Sequence, residues 1–142
     1  MKTAVMLAAL VLALVSCSGG SGGSAGGGQP PLDVSGQWNG AWTSTNSGNS
    51  GPLEVFVTQS GSALSGELTV HGSPCADEIS AVMHGTVSGT HVHFQVSFPD
   101  MGISIDGEVN LDPAGDSIYG AYLMQTNGSC GGDVGTAVVE RQ

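Results

Sequence analysis

Short stretches in which apolar and polar residues alternate recur along most of the chain, separated by turns rich in glycine, serine, asparagine and aspartate. A period of two directs every second side chain to the same face, which is typical of a half-buried β-strand rather than a helix. The pattern predicts an all-β domain. Its eight strands are expected at 36–45, 52–59, 63–70, 79–87, 90–98, 102–111, 117–125 and 133–141.

The connections between these strands alternate between tight and long. Tight turns follow the second, fourth and sixth strands, and longer segments follow the first, third and seventh. In an up-and-down order, successive connections lie at opposite ends, so the tight turns share one end and the long connections share the other. Closing the sheet hides its one apolar face. We therefore expect an eight-stranded antiparallel up-and-down β-barrel, with a two-sheet β-sandwich as the alternative.

The tight turn at Ser88-Gly89 sets a pairing register for the fourth and fifth strands. A two-residue turn there pairs Met83 with Phe94 and directs Phe94 into the barrel. The interior of an eight-stranded barrel is either filled by side chains or holds one small ligand. Inward glycines at 40, 66, 107 and 120 are compatible with a cavity or with sharply coiled strands. The candidate cavity residues are Trp42, Val55, Leu68, Phe94, Ile105 and Tyr122.

The same register places histidines on the outer face. His84 is expected opposite His93, with His91 two residues along the strand and Glu108 beside His93. Some zinc enzymes use such an arrangement, and the alternative is a polar, pH-sensitive outer face. The sequence has no Gly-x-Ser-x-Gly motif and no EF-hand loop. We expect no catalytic residues, no cofactor and no metal beyond this remote zinc candidate.

The N-terminal region has a different pattern, with Lys2 followed by an apolar run over 4–15. The run is shorter than the roughly 20 residues that span a bilayer. It ends in Leu14-Val15-Ser16-Cys17, which resembles the lipobox of a bacterial lipoprotein signal. The resemblance implies cleavage before Cys17, diacylglycerol on its sulfur and an acylated amine, for example by palmitate. The alternative is an ordinary signal peptide cleaved within the following Gly/Ser stretch.

These patterns divide the chain into three parts. We expect a lipoprotein signal peptide at 1–16, a lipidated cysteine and Gly/Ser-rich tether at 17–31, and the barrel at 32–142. The expected location is the cell envelope, anchored to a bacterial membrane. The absence of an aspartate after Cys17 favours the outer membrane where a cell has two membranes.

Charge and cysteine content add two expectations. The chain has 12 acidic residues and 2 basic ones, and so acidic a surface disfavours nucleic acid as a partner. With Cys17 lipidated, Cys75 and Cys130 remain, and an exported pair of cysteines is most simply a disulfide. A metal site with two thiolates is the alternative, but it would need partners at short fixed spacing.

A second resemblance rests on Gly36-Gln37-Trp38 at the start of the first strand and Arg141 at the end of the last. A Gly-x-Trp with an arginine on the last strand is similar to the closed-end signature of the calycins, the superfamily of lipocalins, fatty-acid-binding proteins and avidins. The resemblance implies that Arg141 stacks on Trp38 and closes one end of a barrel. Beyond Trp42 there is no further tryptophan, so biotin binding does not carry over from the avidins.

The sequence leaves two main classes of function. The first is a membrane-anchored barrel that binds a small, apolar ligand and acts as a monomer. The second is a structural or interaction lipoprotein with a filled barrel, whose connections contact a protein or glycan partner. An enzyme with a zinc site is the remote third possibility.

Overall fold

The computed structural model describes residues 30–128 and 130–142. The expected signal peptide, Cys17 and nearly all of the tether lie outside these residues. A 3₁₀ turn, Pro99–Met101, separates the fifth strand from the sixth. The strands are β1 (Gly36–Ser44), β2 (Ser50–Ser60), β3 (Ala63–His71), β4 (Glu78–Ser88), β5 (His91–Phe98), β6 (Ile103–Leu111), β7 (Ser117–Thr126) and β8 (Asp133–Arg141).

These strands form one closed antiparallel barrel in the order β1 to β8, with β8 paired to β1. The up-and-down barrel is confirmed, and the sandwich alternative is wrong. The eight strand ranges are also confirmed to within about two residues at each end. The sheet can close because each connection joins strands that are neighbours in both sequence and space, which requires no crossover.

Alternation along each strand separates a buried inner face from an exposed outer face. In β6 the inward side chains run from Ile103 to Leu111 at every second position, and all are buried. In β5 the inward Val92, Val96 and Phe98 are buried as well. The inner faces of the eight strands together form a single hydrophobic core. Period-two patterning therefore identified the core positions correctly.

The register between β4 and β5 differs from the expected one. Met83 faces Val96 rather than Phe94, because the turn is formed by Gly89 and Thr90 and pairs Ser88 with His91. Gly89 has φ +58°, and a glycine at the first central position is the requirement of a type II′ hairpin turn. The expected Ser88-Gly89 turn requires this glycine at the second central position instead. The error shifts the pairing by two residues and so leaves the inner and outer faces unchanged.

The inward glycines allow strands to approach closely rather than forming cavities. A Cβ atom built on Gly40, Gly66 or Gly120 would overlap main-chain atoms of a neighbouring strand. A Cβ atom on Gly107 would instead overlap the ring of Phe94, which lies across from it in the register. Glycines at such positions permit the sharp coiling that a small barrel needs.

The two ends of the barrel have different connections. The closed end carries the short connections at 61–62, 89–90 and 112–116. The rim, at the other end, carries the connections at 45–49, 72–77, 99–102 and 127–132. Strand β1 begins at the closed end and strand β8 finishes there, so the two halves of the Gly-x-Trp and arginine motif meet at that end.

Candidate functional site

The closed end is sealed by Arg141 and Trp38. The guanidinium carbon of Arg141 lies 4.4 Å from the centre of the Trp38 ring, and Trp38 is fully buried. The guanidinium donates hydrogen bonds to the carbonyl oxygens of Asp33, Ser35 and Gly115, at 2.7, 2.6 and 3.1 Å. The expected stacking is confirmed, and a guanidinium with three carbonyl acceptors is held in a single orientation.

Gly36 and Val34 complete this end. Gly36 has φ +121°, and a Cβ atom there would lie 3.5 Å from the guanidinium of Arg141. Val34, just before β1, is buried and accepts a hydrogen bond on its carbonyl oxygen from Nε1 of Trp38, at 3.0 Å. Its own N–H donates to Oε1 of Gln59. Val34 was not predicted as part of this end, although the apolar pair Leu32 and Val34 before the first strand indicates a buried segment there.

A disulfide between Cys75 and Cys130 spans the rim, as expected, with its Cα atoms 5.5 Å apart. Cys75 lies in the β3–β4 connection and Cys130 in the β7–β8 connection. In a closed barrel of eight strands, these connections are four strands apart in either direction. The disulfide therefore joins opposite sides of the barrel. Ser73 and Pro74, next to Cys75, line the space beneath it.

The barrel interior contains two small cavities, each of about 50 Å³. The upper cavity lies beneath the rim and is lined by residues that include Trp42, Ile105, Tyr122, Met124 and Asp133. The lower cavity lies above Val34 and Trp38 and includes Val55 in its wall. Both cavities share four lining residues, which are Leu53, Leu68, Phe94 and Ala137.

All six candidate cavity residues line this interior, but they do not surround one common space. Val55 reaches only the lower cavity, and Trp42, Ile105 and Tyr122 reach only the upper one. Each cavity is far smaller than the roughly 300–1,000 Å³ of sites for drug-sized ligands. It exceeds the roughly 10–15 Å³ needed for one water molecule. The interior therefore has room for a small apolar group and not for a long acyl chain.

Asp133 is the one charged side chain among the described residues that line either cavity. Its carboxylate accepts hydrogen bonds from the Ser44 hydroxyl at 2.7 Å and from the Tyr122 hydroxyl at 2.7 Å. The Ser44 oxygen in turn accepts from the backbone N–H of Ser47 at 3.0 Å. Burial, together with the hydrogen bond to Asp133 and its negative charge, raises the pKa of Tyr122 above its ordinary value.

This polar group was not identified from the sequence. Its members lie in β1, β7 and β8, so they meet only where the barrel closes. Asp133 is the first residue of β8. An acidic residue at the end of a strand is readily explained by solubility, so its sequence position did not indicate a role in the cavity. Tyr122 was expected in the cavity wall, but nothing in the alternating pattern indicated a partner for its hydroxyl.

The outer-face histidines do not form the expected cluster. His84 faces Gln95 rather than His93, because the β4–β5 register differs by two residues. Glu108 does face His93, as expected, and it lies 2.5 Å from Nε2 of His91 and 3.8 Å from Nε2 of His93. Within the described residues, no three His, Cys, Asp or Glu side chains converge as a metal site would require. The zinc candidate is therefore wrong.

His71, the remaining histidine of the barrel, has two acidic partners near the rim. Its ring lies 3.7 Å from the carboxylate of Glu54 and 3.3 Å from that of Glu78. Its carbonyl oxygen accepts a hydrogen bond from Nε1 of Trp42 at 2.9 Å. That bond holds the Trp42 ring in the wall of the upper cavity.

The fold and its interior define a class, a closed eight-stranded up-and-down barrel compatible with a calycin-like fold. No protein-family model and no curated protein matches this chain. In the part of the chain that the structure describes, no helix is long and apolar enough to cross a membrane.

Proposed function

We propose that this protein is a membrane-anchored barrel that binds a small, largely apolar molecule in its upper cavity. The observation that carries the proposal is the chemistry of the cavity wall. Apolar and aromatic side chains make up nearly all of it, and one carboxylate, Asp133, stands at its edge next to the rim. Ligand sites typically combine apolar walls with a few well-placed polar groups that fix orientation.

The volume of the upper cavity limits the size of the group that it can bind. At about 50 Å³, it takes a group of a few heavy atoms, and the remainder of a larger ligand would lie among the rim connections. The lower cavity is separated from the rim by the shared layer that contains Phe94 and Leu68. A ligand entering from the rim therefore meets the upper cavity first.

The small volume also favours a second candidate function. A barrel filled this completely could serve as a rigid support whose rim connections contact a protein or glycan partner. In this case the two cavities would be packing defects of an otherwise dense core, and the disulfide would stabilise the connections that make the contact.

Native mass spectrometry of the full chain, compared with the mass of the denatured chain, separates these candidates. Additional mass that dissociates as one discrete small molecule would support the binding function and identify the ligand class. The variant Ala137→Leu, which adds bulk in the layer between the cavities, should lose this additional mass. The matched control Ala121→Leu, on the exposed outer face, should keep it. A bare mass for the wild-type protein after gentle purification would favour the filled barrel.

The membrane anchor is a separate part of the proposal and rests on Leu14-Val15-Ser16-Cys17. Two or three acyl chains on one cysteine give stable anchoring, whereas a single chain gives marginal binding. The variant Cys17→Ser should move the protein from the membrane to the soluble fraction. The control, Cys75→Ser with Cys130→Ser, keeps Cys17 and should stay in the membrane fraction. Retention of the Cys17→Ser variant in the membrane would contradict the anchor.

A further inference from the structure

The upper cavity combines three aromatic side chains with a single carboxylate. Trp42, Phe94 and Tyr122 line it, and Asp133 is its one charged group among the described residues. We propose that the upper cavity binds the methylated ammonium group of a small organic cation. This inference rests on the proposed function, since it takes the upper cavity as a ligand site, and it adds the charge and chemical class of the ligand.

Within residues 30–128 and 130–142, no Lys, Arg or His side chain forms an ion pair with Asp133. The sequence contains only two Lys or Arg residues, Lys2 and Arg141, and Arg141 is held at the opposite end of the barrel. The formal net charge of −10 also attracts cations to the protein surface.

Hydrogen bonds hold this carboxylate as an acceptor. Ser44 and, at 3.4 Å, the Asn46 amide donate to one of its oxygens, and Tyr122 donates to the other; a carboxylate has about four lone-pair positions. The three donors therefore fix the orientation of the carboxylate without using its full capacity, and none of them carries a positive charge. A cation beside Asp133 would supply the missing charge.

The aromatic rings are held in place against the barrel wall. Phe94 lies over Gly107, and Tyr122 lies over Gly135, where a Cβ atom would overlap the tyrosine ring. Trp42 is fixed by the hydrogen bond from its Nε1 to the carbonyl oxygen of His71. All three side chains line the cavity, and the face of an aromatic ring attracts cations.

The wall also discriminates between kinds of cation. A primary ammonium has three N–H donors, and the cavity wall is almost wholly apolar apart from Asp133. Burying such a group would leave N–H donors without acceptors, which costs free energy. A fully methylated ammonium has no N–H donor, and its methyl groups pack against apolar and aromatic surfaces. The cavity therefore favours a methylated ammonium over a primary amine.

The test compares choline with its neutral carbon isostere, in which a carbon atom replaces the nitrogen. The two probes have the same shape and differ in charge. Titration calorimetry on the full chain at low salt should show choline binding about tenfold more tightly than the isostere, because cation–π and charge interactions at such sites contribute on this scale. Phosphocholine, as a third probe, distinguishes a lipid headgroup from a free cation as the source of the ammonium.

Two variants and one matched control test whether the effect comes from the upper cavity. Asp133→Asn should weaken choline binding about tenfold and leave binding of the isostere within about twofold. The matched control Asp100→Asn removes one charge from an exposed position in the rim connection between β5 and β6 and should leave both probes unchanged. Phe94→Leu keeps an apolar wall but removes a ring, so it should weaken choline more than the isostere.

The outcomes separate this inference from the proposed function. Equal affinity of the wild-type protein for choline and for the isostere would overturn the cationic ligand but leave an apolar ligand site. Binding of neither probe would also overturn it, and native mass spectrometry would then decide the proposed function independently. Because the wild-type comparison needs no variant, the test stands even where Asp133→Asn fails to fold.

Discussion

The closed end and the rim of this barrel are stabilised in different ways. At the closed end, short connections, the buried Trp38 and the stacked Arg141 seal the barrel below the lower cavity. At the rim, long connections are tied by the disulfide, and a carboxylate network stands at the edge of the upper cavity. Stacking and the hydrogen bonds of one guanidinium stabilise the first end, whereas a covalent bond and a carboxylate network stabilise the second. The cavities beside the two ends have the same volume of about 50 Å³, so the difference lies in their chemistry: the upper one, beneath the rim, has Asp133 in its wall, whereas the lower one is lined by apolar side chains.

The largest expected effect comes from removing the disulfide at the rim. The variant Cys75→Ser with Cys130→Ser should lose about 3–4 kcal/mol of unfolding free energy, because the bond closes a long loop in the unfolded chain. The two cysteines are 55 positions apart. Urea denaturation with and without a reducing agent measures the effect.

Reductant should lower the stability of the wild-type protein to that of the double variant and should leave the variant unchanged. If the reductant left the unfolding free energy of the wild-type protein unchanged, the protein would contain no such disulfide. The stacking of Arg141 on Trp38 at the closed end should persist in the folded variant, since the disulfide is at the other end of the barrel.

A smaller effect is expected at the closed end. Arg141→Lys keeps the positive charge, but an ammonium cannot replace a planar guanidinium that stacks on Trp38 and reaches three carbonyl oxygens. We expect a loss of about 1–2 kcal/mol in unfolding free energy, measured by urea denaturation. Ligand binding in the upper cavity should change less than twofold, because the substitution is at the opposite end. If Arg141→Lys had the same unfolding free energy as the wild-type protein, a positive charge at this position would be sufficient to close the barrel.

The smallest effect concerns Tyr122 and pH. Burial and Asp133 raise the pKa of Tyr122 in the folded protein, so the folded state favours the neutral phenol. In the unfolded chain tyrosine ionises near its ordinary pKa of about 10. The stability that this group contributes is complete below about pH 10 and is lost as the pH rises from there toward the folded pKa.

The variant Tyr122→Phe should therefore lose less stability than the wild-type protein as the pH is raised above about 10. Urea denaturation at a series of alkaline pH values measures the difference. Tyr119→Phe is the matched control, because it removes the chain's other tyrosine hydroxyl from the exposed outer face. Identical alkaline profiles for the wild-type protein and Tyr122→Phe would contradict the coupling between Tyr122 and Asp133.

Much of the fold was predictable because its signals are local. Alternation identified the strands and their inner faces, and the lengths of the connections assigned Cys75 and Cys130 to the same end. The β4–β5 register was not predictable in this way. It depends on whether Gly89 takes the first or second central position of the turn, and both choices satisfy the alternating pattern equally well.

The candidate site was predicted only in part for a related reason. Trp42, Phe94 and Tyr122 were expected in the cavity because inward positions follow from the period of two. The partition into two cavities depends on how side chains from several strands fill the interior, which no single strand determines. The histidine cluster was wrong because it depended on one pairing register, and a two-residue shift moved His84 opposite Gln95.

The sequence by itself determined that the chain forms eight strands with one apolar face, because the period of two and the turn residues act over a few positions. It also determined the acidic charge and the motif at Gly36, Trp38 and Arg141. Only the tertiary structure decided that Ser44, Tyr122 and Asp133 meet beneath the rim. Their contact requires strands from both ends of the sequence to become neighbours, and this occurs only when β8 pairs with β1 and the barrel closes.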